Sequence, residues 1–117
     1  MSRLTKSFVH AARGLGYTFA HEGNFRVHTA AALVVLALGA WVRVSAREWT
    51  ILILVMVLVM TLELVNTAVE KILDSVHPRL RATVGLAKDI LAGAVLLAAA
   101  AAVLIGGLIF IPYFLEP

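Results

Sequence analysis

Residues 49–73 read WTILILVMVLVMTLELVNTAVEKIL, an apolar run longer than the about 20 residues that a helix needs to cross a bilayer. Glu63, Asn66 and Glu70 interrupt the second half of this run, and Asp74 follows it. Steps of three, four and four residues place these four side chains, here called the polar stripe, on one face of a helix. Since a carboxylate inside a bilayer costs at least ~2.5 kcal/mol, the stripe predicts a functional site within a membrane span.

The composition of the chain is that of a membrane protein. Of its 117 residues, 62% are apolar and 15% are charged, whereas soluble domains average about 45–50% and about 25%. A water-soluble core of this length cannot bury so many apolar side chains. The absence of cysteine excludes disulfides and thiolate metal sites. We interpret the net charge of +3 as a topology signal, so no nucleic-acid partner is expected.

Two further stretches, residues 25–42 and 90–115, are apolar enough to cross a bilayer. Residues 3–21 instead repeat apolar side chains at helical spacing between basic ones, which predicts an amphipathic helix lying in the membrane interface. Glycines in the last span predict close approach of neighbouring helices. We therefore predict an all-α membrane protein, a single domain over the whole chain, with an N-terminal surface helix and three transmembrane helices.

Basic residues set the expected orientation. Four precede or open the first span and four surround the second loop, against two in the first loop and none after the last span. In that order they are Arg3, Lys6, Arg13 and Arg26; Lys71, Arg79, Arg81 and Lys88; and Arg43 and Arg47. Because Lys and Arg accumulate on the cytoplasmic side, we expect a multi-pass protein of the cell membrane with a cytoplasmic N-terminus and an external C-terminus.

Five of the seven acidic residues fall in the cytoplasmic half of this arrangement, together with a lysine. They are Glu22, Glu63, Glu70, Asp74 and Asp89, and the lysine is Lys88. Carboxylates and a lysine at such a surface suit Mg²⁺ that carries phosphate oxygens, and a buried carboxylate can accept a proton from a hydroxyl. The set predicts phosphoryl transfer, although the chain has no Walker loop.

Three ungapped blocks extend this pattern along the chain. Residues 63–74, ELVNTAVEKILD, fit E-x-x-N-[ST]-A-[IV]-E-x-x-x-D. Residues 21–28, HEGNFRVH, fit H-E-x-N-F-R-x-H, and residues 87–96, AKDILAGAVL, fit A-K-D-x-x-A-[GA]-A-V-L. In this order and spacing the blocks resemble the small bacterial membrane lipid kinases, a family that comprises diacylglycerol kinase and undecaprenol kinase.

The resemblance implies a homotrimer in the bacterial cell membrane, an ATP-dependent reaction and a set of site residues. Glu63 corresponds to the catalytic base that deprotonates the lipid hydroxyl, and Glu22 and Glu70 correspond to ligands of the Mg²⁺ that accompanies ATP. The positions implied for ATP binding are Arg3, His10, Asn66, Asp74, Lys88 and Asp89. His10 stands where members of the family often have tyrosine.

The residue at position 28 bears on the lipid substrate. His28 fits the Gram-positive branch of the family, whereas an acid is usual there in proteobacterial diacylglycerol kinases. The resemblance therefore favours undecaprenol as the membrane alcohol that accepts the phosphate, with diacylglycerol as the alternative. Both substrates imply the same mechanism.

Two hypotheses from other classes of protein remain open. A small proton-coupled transporter would also use an intramembrane glutamate, but it gives no role to Glu22, Lys88 and Asp89. A non-catalytic assembly subunit would use the polar stripe only to hydrogen-bond neighbouring helices. Proton flux without ATP would favour the transporter, and loss of oligomerisation in Glu70→Gln would favour the assembly subunit.

Overall fold

The structure, a computed structural model, describes residues 2–76 and 78–115. Its helices are α1 at Arg3–His21, α2 at Gly23–Val42, α3 at Ala46–Leu73 and α4 at Arg81–Leu115, with a 3-10 turn at Pro78–Leu80 before α4. Helices α2, α3 and α4 are each long and apolar enough to cross a membrane. The predicted all-α class and the three candidate spans are confirmed, and α1 covers the residues predicted for the N-terminal helix.

Local capping explains why α3 begins at Ala46, three residues before the predicted start. The Glu48 backbone N–H donates to Ser45 Oγ at 3.1 Å, and the Ser45 N–H donates to Glu48 Oε1 at 3.0 Å. This reciprocal capping box satisfies two backbone donors that the first turn leaves free. Hydropathy marked the apolar run from Trp49, whereas the cap determines where the backbone becomes helical.

Helix α4 begins at Arg81, well before the predicted span start at residue 90. Its 35 residues extend over roughly 52 Å at 1.5 Å per residue, whereas the hydrocarbon of a bilayer is about 30 Å thick. The prediction marked the apolar part of the helix alone. The first turns of α4, which carry Lys88 and Asp89, therefore continue the helix beyond the apolar segment.

Helix α3 packs against both α2 and α4 and forms the centre of the bundle. The buried apolar cluster consists of Val44, Leu52, Ile109 and Phe110. Val44 lies in the loop between α2 and α3, so this cluster occupies the loop end of the bundle, opposite the end that carries the polar stripe. Large apolar side chains elsewhere remain exposed, as at Leu108, which is suited to a lipid environment.

The contact between α2 and α3 depends on a glycine. A Cβ at Gly39 would lie 2.6 Å from Trp49 Cη2 and within 3.1 Å of two further atoms of the same ring. Because the indole is rigid, Gly39→Ala is expected to force the helices apart and destabilise the fold by about 1–3 kcal/mol. Thermal unfolding in detergent measures this as a lower midpoint.

Gly85→Ala is the matched control, since a Cβ at Gly85 meets no atom within 4 Å. It removes a helix-interior glycine without a clash, so the midpoint should stay the same or rise. Equal midpoints for Gly39→Ala and wild type would show that the Gly39–Trp49 contact does not limit stability.

Candidate active site

The polar stripe lies on the second half of α3 and changes from buried to exposed along the helix. Glu63 is 3% exposed, Asn66 and Glu70 are half-buried, and Asp74 is exposed at the C-cap of α3. Thr67, one turn after Glu63, is buried, and its hydroxyl donates to the Glu63 carbonyl at 3.0 Å. The stripe therefore runs from the interior of the bundle to its surface.

Glu63 is a buried acid without a complete set of hydrogen bonds. Its Oε1 lies 3.2 Å from His28 Nε2 on α2, but the alignment is not that of a hydrogen bond. Among the described residues, neither Glu63 Oε1 nor Asn66 Oδ1 has a hydrogen-bond partner. A buried acceptor left in this state costs about 1–3 kcal/mol. An unsatisfied buried group calls for a physical explanation, and a catalytic role is one such explanation.

The exposed end of the stripe contacts α4. Lys88 Nζ donates to Asp74 Oδ1 at 2.5 Å and is close enough to Glu70 to interact electrostatically. Asn66 Nδ2 donates to Glu70 Oε1 at 3.4 Å, which is long for a hydrogen bond. Both members of the Asp74–Lys88 pair are more than a third exposed, so the ion pair contributes little to the stability of the fold. Its main effect is to hold the Lys88 ammonium beside the exposed end of the stripe.

A second lysine, Lys71, connects the stripe to α1. The sequence analysis used it only for the membrane orientation and did not predict it as a site residue. Lys71 Nζ lies 5.3 Å from the centre of the Tyr17 ring, in the geometry of a cation–π contact. The same ammonium is close enough to Glu22 and Asp74 to interact electrostatically. Its position next to Glu70 could have indicated Lys71 as a site residue, but nothing in the sequence indicated that it would contact Tyr17.

Glu22 occupies the corner between α1 and α2. It is the single non-helical residue there, and its backbone N–H donates to the Thr18 carbonyl at 2.8 Å. The Arg26 guanidinium fixes the same corner because it donates to the carbonyls of Phe19 at 2.8 Å and Ala20 at 3.0 Å. These are carbonyls of the last turn of α1, which lack partners within the helix. The corner thus fixes the Glu22 backbone, and the Glu22 carboxylate is close enough to the Lys71 ammonium of α3 to interact electrostatically.

Three of the residues implied for ATP binding have exposed side chains, and one of them, Asp89, directly follows Lys88 in the chain. Arg3, His10 and Asp89 are exposed, and among the described residues no hydrogen bond or ion pair joins them to Glu22, the stripe or Lys88. Arg3 begins α1, roughly 27 Å along the helix from its other end at His21. Within one chain, a contact joins the stripe to Lys88, and the Lys71 ammonium lies close enough to Glu22 and Asp74 to interact electrostatically with both. The binding roles of all these residues stay predictions.

The carboxylates of Glu22 and Glu70 have the chemistry of ligands for a magnesium ion that arrives with phosphate. Within residues 2–76 and 78–115, no group of three or more Asp, Glu or His side chains is arranged to hold a metal ion by itself. Mg²⁺ bound with a nucleotide uses one or two carboxylates and completes its shell with phosphate and water. The resemblance implies that Glu22 and Glu70 would supply these carboxylate oxygens.

An apolar groove of about 370 Å³ lies between α2, α3 and α4. Small residues of α4, among them Ala99, Ala102 and Gly106, form one wall. Glycines were expected to bring helices together, but a Cβ at Gly106 would meet no atom within 4 Å. Within one chain, the small residues of α4 thus leave an open groove and do not bring α4 into close contact with a neighbouring helix. Of the described residues that line the groove, His28 alone has a polar side chain.

The bundle and its site together define a class of protein: a small membrane-embedded enzyme with an apolar groove and a buried acid. At the exposed end of the stripe, Glu70, Asp74 and Lys88 form a charged group of the kind that suits magnesium and phosphate. A family model described as prokaryotic diacylglycerol kinase matches residues 9–110. The chain belongs to this family and is a lipid kinase, a phosphotransferase that acts on an alcohol group. The resemblance inferred from the three sequence blocks is confirmed.

Individual relatives align over most of the chain. An undecaprenol kinase of Bacillus subtilis is 43% identical over 112 residues, which cover 96% of this chain and 91% of the relative. A diacylglycerol kinase of a Synechocystis species is 42% identical over 97% of this chain and 65% of its own length. A diacylglycerol kinase of Escherichia coli K12 is 31% identical over 88% of this chain and 84% of its own length.

Proposed function

We propose that this kinase transfers the γ-phosphoryl group of ATP to the hydroxyl of undecaprenol. The observation that carries the proposal is the buried Glu63 carboxylate, whose Oε1 accepts no hydrogen bond from the described residues. The groove supports it, because Val59 and Met60 line the groove one turn before Glu63. The name of the Bacillus subtilis relative and the histidine at position 28 favour undecaprenol. The names of the other relatives favour diacylglycerol as the second candidate.

The proposed reaction is a direct in-line transfer. Glu63 accepts the proton of the lipid hydroxyl while the hydroxyl oxygen of the lipid attacks the γ-phosphorus. The new O–P bond forms as the bond to the β-phosphate oxygen breaks, and ADP leaves. Phosphoryl transfer of this kind depends mainly on positioning and on charge stabilisation. A groove that presents the alcohol beside a fixed carboxylate supplies the positioning.

The residues at the exposed end of the stripe are assigned to the nucleotide. Glu22 and Glu70 would hold Mg²⁺, which when bound neutralises charge on the phosphate oxygens. Lys88 adds positive charge on the same side, and Asn66 and Asp74 orient Glu70 and Lys88 through their contacts. By resemblance, Arg3, His10 and Asp89 complete the ATP site. Lys71 joins this group because of its proximity to Glu22 and Asp74.

Membrane placement and assembly are proposed on the same basis. The proposal sets α1 in the membrane interface, with exposed apolar side chains such as Leu4 and Phe8 towards the lipid. The distribution of Lys and Arg orients the N-terminus towards the cytoplasm and the C-terminus outside. The chain would assemble as a homotrimer, and exposed apolar residues on α4, such as Leu104, leave surface for a neighbouring subunit or lipid.

The test is phosphate transfer from γ-labelled MgATP by the purified protein in mixed micelles, with undecaprenol and diacylglycerol supplied separately. The expected result is label on undecaprenol at a several-fold higher kcat/KM than on diacylglycerol. The reverse preference would keep the mechanism and overturn the substrate. No transfer to either lipid by folded protein, together with proton flux in liposomes without ATP, would favour the transporter hypothesis instead.

A further inference from the structure

His28 occupies a position between the groove and the buried acid. It belongs to α2, lines the groove, and brings Nε2 to within 3.2 Å of Glu63 Oε1 on α3. Its side chain is 24% exposed, whereas that of Glu63 is 4% exposed. The imidazole therefore faces the space of the groove on one side and the carboxylate on the other.

The carboxylate needs a donor, and His28 is placed to be that donor. Glu63 Oε1 is buried and has no hydrogen-bond partner among the described residues. Lys88 is paired with Asp74, and Lys71 lies over Tyr17. The 3.2 Å separation is already in hydrogen-bond range, so only a rotation of the imidazole is needed to aim Nε2–H at Oε1. Catalytic hydrogen bonds are often poorly aligned before substrate binds and tighten afterwards.

We propose that His28 is a positioning residue for Glu63, an inference that rests on the proposed role of Glu63 as the base. In the tautomer with its proton on Nε2, the neutral imidazole donates to Glu63 Oε1 and fixes the rotation of the carboxylate. The other oxygen, Oε2, is then left to accept the proton of the lipid hydroxyl. His28 thus acts on the chemical step through Glu63 and does not itself exchange a proton with the substrate.

A role limited to the wall of the groove makes a different prediction. If His28 only contacted the lipid chain, its loss would raise KM for the lipid and leave kcat unchanged. If it only filled space between α2 and α3, its loss would lower stability without a selective effect on kcat. A positioning role instead lowers kcat, depends on a hydrogen-bond donor at this position, and requires Glu63.

The experiment compares His28→Leu, which keeps bulk and removes the donor, with His28→Gln, whose amide restores a donor at similar reach. Each is measured for kcat and lipid KM in mixed micelles, alone and combined with Glu63→Gln. We expect His28→Leu to lower kcat about 10- to 100-fold with lipid KM near the wild-type value. We expect His28→Gln to recover most of kcat. In the Glu63→Gln background, His28→Leu should cause little further loss, because the two residues act as a unit.

Several results would overturn the inference. Wild-type kcat in His28→Leu would do so, as would an effect confined to lipid KM or a full additional loss in the Glu63→Gln background. If His28→Leu does not fold, His28→Asn takes its place, because its shorter amide does not reach Oε1, and the same criteria apply. An active Glu63→Gln enzyme would instead overturn the proposed base, a result distinguishable from any obtained with the His28 variants alone.

Discussion

Glu63→Gln is expected to lower kcat for lipid phosphorylation by about 10²–10⁴-fold, the range that a general base contributes. Glutamine has nearly the same size and keeps a side-chain oxygen, but it cannot accept the hydroxyl proton. Glu63 is buried and adjoins His28 at the groove, so water has little access to replace it as a base. Initial rates with saturating MgATP and varied lipid measure the effect, and lipid KM should change far less than kcat.

Glu48→Gln provides the matched control for this substitution. Glu48 is also a glutamate of α3, but it lies at the opposite end, where it accepts a hydrogen bond from Tyr113. Glutamine is accepted at the third position of a capping box, so the helix start should be retained. The control variant is expected to stay active. A Glu63→Gln enzyme as active as Glu48→Gln would refute the assignment of Glu63 as the base.

Glu70→Gln is expected to raise the Mg²⁺ concentration needed for half-maximal rate by roughly tenfold or more, the scale on which disturbing a metal site acts. A carboxylate is a stronger ligand for a hard cation than an amide oxygen. The substitution preserves the acceptor for Asn66 Nδ2, so the local structure should be retained. Titration of Mg²⁺ at fixed ATP and saturating lipid measures the shift.

The Glu70 prediction separates the kinase from an assembly role. Glu48→Gln should keep the wild-type Mg²⁺ dependence, and chelation with EDTA should abolish transfer by every variant. Size-exclusion chromatography of Glu70→Gln in detergent should give the wild-type oligomer. A smaller oligomer with an unchanged Mg²⁺ requirement would show that Glu70 joins helices and does not contribute to the metal site.

Much of the architecture follows from the sequence because hydropathy and helical periodicity are local properties. The N-terminal helix was predicted over residues 3–21 and covers Arg3–His21. The first span was predicted to begin at residue 25 and begins at Gly23. The face shared by Glu63, Asn66, Glu70 and Asp74 needed only the period of 3.6 residues. Helix α4 begins at Arg81, nine residues before the predicted start of the last span at residue 90. Hydropathy thus has a limit as a predictor, because it does not report where helical hydrogen bonding begins.

By itself, the sequence determined three candidate membrane spans, one polar face on the second span, and the family to which these residues point. Only the tertiary structure decided that His28 meets Glu63, that Lys88 meets Asp74 and that Lys71 lies over Tyr17. Each of these contacts joins two helices, so it depends on how one helix is rotated and shifted against another. Periodicity within one helix carries no information on that offset. Packing at contacts such as Gly39 against Trp49 fixes it instead.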